Sequence, residues 1–232
     1  MGISRTLAFA GLALCLLSPV LAVANPVITN GSFEAVQIAS AFSANPADIP
    51  GWTHTGDVGD ALLWNATFPQ CCGGTNSAKT GDGNQFVTMG GGFGPFGSSA
   101  WSQTITGLTI GDSYNIDFKM AAEGESNTQQ LTVAMTSGSS TASELFTSPD
   151  SNFTLFWQNW GADQYTFLAT ATSADLQFSV TNQQWDVGLD SVSISAATEA
   201  VPEPAGLILL VPVLLGLAVI VRRNSLRTRI ET

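Results

Sequence analysis

The sequence predicts an all-β fold, a two-sheet antiparallel sandwich, with an N-terminal signal peptide before it and one C-terminal transmembrane helix after it. Three observations predict the sandwich. Apolar residues recur at every second position in short runs, and glycine, serine and asparagine punctuate those runs at close intervals. Nothing between residues 25 and 200 carries a 3.6-residue apolar period.

Taken in chain order, Arg5 precedes an apolar run from Leu7 to Leu17, then Ser18-Pro19, then Ala22-Val23-Ala24 just before Asn25. This is the three-part layout of a secretory signal peptide over residues 1–24, with cleavage after Ala24. The apolar run is short for a retained membrane anchor. Leu14 before Cys15 departs from the small residue a lipid-attachment site needs.

Residues 25–195 form the predicted β-sandwich domain. Tyr114, Ile116, Phe118 and Met120 share one parity, as do Leu131, Val133 and Met135, and again Leu176, Phe178 and Val180. Each set predicts a strand with one buried face. Gly107, Gly111-Asp112, Gly124, Ser137-Gly138, Ser148-Pro149-Asp150 and Asn182 read as the turns between strands. The spacing predicts eight to ten strands.

Residues 196–204 are small and proline-containing and read as a linker. Ala205 to Val221 is a run of 17 residues without a charge. As a helix it spans roughly 26 Å, enough for a thin bilayer. Pro212 kinks it, which a membrane helix tolerates. Arg222, Arg223, Arg227 and Arg229 follow at once, so residues 222–232 are a basic cytoplasmic tail and the sandwich lies outside.

Charge narrows the function classes. Only 11% of residues are charged, and the formal net charge is -11. Residues 25–204 hold 17 acidic side chains against two basic ones, Lys79 and Lys119, a formal -15. Capture of nucleic acid needs clustered lysine and arginine, and the exported domain has none.

Catalytic constellations are sparse. His54, beside Trp52 and Thr53 in an expected loop, is the only histidine, and no G-x-S-x-G elbow exists. A serine triad and a multi-histidine zinc site are therefore excluded. Gly92-Phe93-Gly94-Pro95-Phe96-Gly97 matches G-x-G-x-x-G in form, but Pro95 and the strand-like residues after it exclude a phosphate-binding turn. A two-carboxylate hydrolase has Asp57, Asp60 and Asp82 to draw on. The preferred reading is that the protein is not an enzyme, because acidic side chains in an acidic exported domain mostly serve to solvate it.

Cys71-Cys72 is the cysteine pair left after signal cleavage; it can form a vicinal disulfide, whose turn Gly73-Gly74 permits, or each cysteine can pair across chains. Of the six tryptophans, Trp101 and Trp157 lie in strand patterns and read as core. Trp160 and Trp185, with Phe93 and Phe96 in the glycine-rich loop, are the candidates for stacking on a ligand such as a sugar ring. Asp190 has the parity of Val192 and Ile194, so a regular strand points it inward. A buried carboxylate there needs hydrogen bonds or a cation. Alternatively Asp190 lies at a bulge and caps a turn.

Two resemblances add to this. Pro202-Glu203-Pro204, the short apolar span and the arginine cluster led by Arg222 and Arg223 resemble the PEP-CTERM sorting signal of Gram-negative bacteria that make exopolysaccharide. It implies transient anchoring in the inner membrane, an exosortase-type processing enzyme as partner, and delivery to the cell surface or extracellular matrix. The tail runs on through Thr232, longer than that signal's usual few basic residues.

Asn30-Gly31-Ser32-Phe33-Glu34, Ile49-Pro50-Gly51-Trp52, Gly83-Asn84-Gln85-Phe86-Val87, Ser102-Gln103-Thr104-Ile105 with Gly111-Asp112-Ser113-Tyr114, and Leu189-Asp190-Ser191-Val192 are similar, in that order, to galactose-binding-like jelly rolls. Such jelly rolls occur in carbohydrate-binding modules. The resemblance implies a jelly-roll sandwich, a glycan or exopolysaccharide ligand, and a structural calcium held by Glu34 and Asp190 with backbone carbonyls. A matrix protein acting by self-association, with no glycan site, is the alternative; a glycan hydrolase is the third reading.

Overall fold

The computed structural model describes residues 25–56, 63–67, 80–90, 97–123, 129–149, 157–183 and 186–197. The expected signal peptide, transmembrane helix, sorting motif (Pro202, Glu203, Pro204, Arg222, Arg223), Cys71, Cys72, Phe93, Phe96 and Trp185 lie outside the described residues, as do Asp57 and Asp60.

Among the described residues there are eleven strands and one 3-10 turn, Pro46–Asp48. The strands are β1 (Phe42–Ser43), β2 (Thr53–Gly56), β3 (Leu63–Asn65), β4 (Gln85–Met89), β5 (Gly97–Thr106), β6 (Ser113–Ala122), β7 (Gln130–Ser137), β8 (Ser140–Thr147), β9 (Gly161–Leu168), β10 (Ser173–Gln183) and β11 (Val187–Ala196). They pair as a six-stranded sheet, β1-β3-β4-β11-β6-β9, and a five-stranded sheet, β2-β5-β10-β7-β8. Every pairing is antiparallel. Consecutive strands mostly alternate between the sheets, so the two layers form one sandwich around a shared core.

The three apolar runs read from parity are β6, β7 and β10, and their predicted inward residues are buried. Gly138 closes the β7–β8 hairpin at φ 60°, with Ser137 opposite Ser140. That backbone hand matches the strand twist and favours glycine. Asn182, expected in a turn, instead lies within β10, where the pairing with β5 shifts register between Val180 and Gln183. The strand count exceeds the expected eight to ten because β1, β2 and β3 are two to four residues long. Alternation has no room to show in such segments.

Aromatic rings tie the layers together. Phe178 of the five-stranded sheet stands 5.3 Å from Phe118 of the six-stranded sheet and 6.1 Å from Trp52. Phe33 packs 5.5 Å from Trp52, and Phe146 packs 5.0 Å from Phe118. Trp101 is buried in β5 as expected, with Nε1 donating to the Thr88 carbonyl at 3.1 Å. Trp157 is also buried, but in a turn at φ 44° rather than in a strand.

Candidate functional site

Two places outside the core gather polar chemistry. The first is the open face of the five-stranded sheet. Alternation that sends Leu176, Phe178 and Val180 inward sends Asp175 and Gln177 outward, and β5 and β7 do the same with Ser102, Thr104, Ala134 and Thr136. Register aligns these residues into two rows across the sheet. One row runs Thr104, Asp175, Thr136, Thr141; the other runs Thr53, Ser102, Gln177, Ala134.

Neighbouring strands lie about 4.8 Å apart, and the rows are separated by two residues, roughly 7 Å along each strand. Between them lies a groove of about 370 Å³. Thr104 Oγ1 donates to Asp175 Oδ1 at 2.6 Å, and the Thr136 and Thr141 hydroxyls meet at 3.0 Å. Hydroxyls both donate and accept, so the face offers hydrogen-bonding groups of both kinds on a rigid floor.

The aromatic candidate Trp160 is elsewhere. It stands half-buried on the outer face of the six-stranded sheet, with Nε1 donating to the Trp157 carbonyl at 2.9 Å and its ring 5.3 Å from Phe86. Trp64, Trp157 and Phe86 complete a second small apolar cluster there, extended by the half-exposed Phe42. Gly188 lies beneath it, and a Cβ at that position would press on Trp157 and Trp160.

The second place is where the chain's entry meets its exit. Val192 N–H donates to the Gly31 carbonyl at 2.9 Å, and a Cβ at Gly31 would run into the Val192 carbonyl. This close backbone approach brings Glu34 and Asp190 to the same segment, residues 80–85. Glu34 Oε1 accepts the Asn84 and Gln85 N–H groups at 2.5 and 2.6 Å, and Oε2 accepts from Gln37 at 2.5 Å. Asp190 Oδ2 accepts the Asp82 N–H at 2.7 Å, Oδ1 accepts the Ser191 N–H at 2.6 Å, and Lys119 Nζ donates to the Gly81 carbonyl at 2.6 Å.

The inward orientation expected for Asp190 is corrected. Ser191 sits at φ 56°, and the β11–β6 register shifts between Asp190 and Ser193. The bulge reverses parity, so Asp190 shares the outer face with Gly188 and Lys119 while Leu189 and Val192 enter the core. Asp190 is nonetheless 0% exposed, because residues 80–84 fold over it. Burial, opposed by its backbone hydrogen bonds and reinforced by the Asp82 and Glu34 charges, pushes its carboxyl up to about 7.

Three carboxylates, Glu34, Asp82 and Asp190, converge here with Lys119 as the one basic side chain beside them among the described residues, so the cluster is negative in balance. Ser191 Oγ, buried without a hydrogen-bond partner, is a further oxygen beside it. Among the described residues, no three His, Cys, Asp or Glu side chains are gathered to hold a metal by themselves. A cation at this point would draw on backbone oxygens as well.

His54, expected on a loop surface, lies in β2 opposite Trp101 with ring centroids 4.8 Å apart. Its Nε2 is buried without a partner, and desolvation holds its pKa below the usual histidine value. A second hollow, about 530 Å³, lies where Asn25-Pro26 and Ile194-Ser195 come together.

No protein-family model matches the chain, and no curated protein matches it. Solved structures of similar outline include TmCBM61 in complex with β-1,4-galactotriose, at 16% identity and a TM-score of 0.49, covering 72% of this chain and 96% of that one. The CBM22-1 xylan-binding domain from Paenibacillus barcinonensis Xyn10C matches at 14% identity and a TM-score of 0.41, over 65% of this chain and 88% of that one. An arabinose-bound MgGH51 α-L-arabinofuranosidase matches at 13% identity and a TM-score of 0.46, over 75% of this chain but 27% of that one. At these identities the likeness is one of outline and not of site.

Proposed function

We propose that the protein is an exported, non-catalytic surface or matrix protein that binds a glycan in the groove of its five-stranded sheet. The observation that carries this reading is the pair of cross-strand polar rows. They set hydroxyl, amide and carboxylate groups at regular spacing along an open floor, matching a chain molecule whose own hydroxyls repeat.

A glycan array probed with the 25–197 domain tests it, followed by the double variant Ser102→Ala/Gln177→Ala. Loss of two hydrogen bonds weakens binding about tenfold or more with little change in melting temperature. An array with no bound glycan overturns the reading. Loss of binding on Trp160→Ala, with the double variant unaffected, moves the site to the other face. The proposed stacking roles of Trp185, Phe93 and Phe96 are read by the same assay.

The export route rests on sequence: the signal layout of residues 1–24, then Pro202-Glu203-Pro204, the apolar span and Arg222-Arg223. It makes an exosortase-type enzyme the processing partner and the membrane a transient one. The intact mass of the surface fraction then lacks residues 205–232; their retention overturns processing. A hard divalent cation such as calcium is proposed at Glu34 and Asp190, with backbone carbonyls completing its oxygen shell.

Self-association has one observation in its favour. Among the described residues β8 pairs only with β7, and it carries Leu145 at 56% exposure. Ordered multimers in light scattering, with an empty glycan array, would select that reading.

A further inference from the structure

The groove carries information about charge as well as shape. Asp175 stands on β10, the middle strand of the five-stranded sheet, so a chain crossing the groove passes over it. Its row neighbours are threonines on both sides, and the second row offers hydroxyls, an amide and Ala134. No lining residue is basic.

Among the described residues the only lysine or arginine is Lys119, which lies on the other sheet with Nζ on the Gly81 carbonyl. An anionic sugar in this groove therefore meets a carboxylate and, among the described residues, no counter-charge. A neutral hydroxyl can donate to Asp175, and an ammonium can donate with charge assistance. Like-charge juxtaposition is a common means of rejecting wrong partners.

Resting on the glycan reading above, we propose that the groove takes uncharged or amine-bearing glycans in preference to uronate polyanions, with Asp175 as the residue that sets this choice. Thr104 Oγ1 donates to the Asp175 carboxylate and orients it on the floor of the groove.

Calorimetric titration of the full domain, in EDTA and low salt, with chitosan, chitin and galacturonate oligosaccharides of equal length tests this. These probes are respectively amine-bearing, neutral and anionic. Chitosan binds about fivefold more tightly than chitin, and galacturonate at least about fivefold more weakly, the scale of one partly exposed charge interaction. Asp175→Asn brings the three affinities together, and added salt does the same in the wild type.

Asp117→Asn, which removes a carboxylate bonded to Gln164 on the other sheet, leaves the order intact and separates a local effect from the field of the whole acidic domain. Galacturonate bound as tightly as chitin, or an order that survives Asp175→Asn, overturns the charge choice while leaving glycan binding standing. No binding of any of the three, together with an empty array, overturns both.

Discussion

Asp190 shows how a single side chain is governed by what covers it. Its carboxylate accepts two backbone N–H groups, yet burial and the Glu34 and Asp82 charges outweigh them and raise its pKa to about 7. In the native, cation-free state the group keeps a proton that the unfolded chain has already lost above its ordinary value of 3.8. The folded state therefore binds more protons between those values, and stability falls as pH rises through this window and levels off above about 7. A rise from 3.8 to about 7 corresponds to about 4 kcal/mol at most.

The groups around it are Asp82, Glu34 and Lys119, and His54 acts in the opposite sense from a distance. The lowered histidine pKa means stability is lost as pH falls below the ordinary histidine range. Melting curves from pH 5 to 8 in EDTA should show the difference of these two opposed slopes, and Asp190→Asn should remove the declining one, leaving a stability that rises with pH through the histidine range. Millimolar calcium should raise the melting temperature more at pH 8 than at pH 5, because it binds the ionised carboxylate. No calcium response at either pH would remove the cation from the site.

At the scale of elements, the difference between β10 and β11 explains what the sequence could disclose. In β10, Leu176, Phe178 and Val180 keep one parity, so both strand and buried face were legible, although the strand runs on past Asn182. The groove residues Asp175, Gln177 and Thr136 have the opposite parity in the runs read as strands, but alternation alone does not distinguish a ligand-binding face from a solvated one. Their assembly depends on register between strands far apart in sequence, which alternation within one strand does not carry.

In β11 the regular-strand reading of Asp190 fails and the bulge alternative holds, because the irregularity falls on Ser191. The residue adopts φ 56° without the glycine that would announce it, and one extra residue turns Asp190 to the opposite face. The approach of Glu34 and Asp190 to one segment was legible by resemblance; the N–H groups they accept were not, since Asp82, Asn84 and Gln85 contribute backbone and no side chain to those bonds.

For the whole molecule, the central question is whether the two sheets act as one unit, since the groove is only as rigid as the core behind it. Phe178 decides this. It is fully buried on the strand that carries Asp175 and Gln177, and it touches Phe118 of the opposite sheet and Trp52 from the segment entering β2. Truncation by Phe178→Ala removes contacts to both layers at once and costs about 3–5 kcal/mol. At roughly 2–4 °C per kcal/mol for a domain of this size, the melting temperature falls by about 10 °C. Because the ring bridges the layers, the transition stays single, with near-UV circular dichroism, which reports the tryptophans, and far-UV dichroism, which reports the sheets, shifting together. Separate transitions, or a fall of only a degree or two, would mean that the layers unfold independently and that the groove rests on the five-stranded sheet alone.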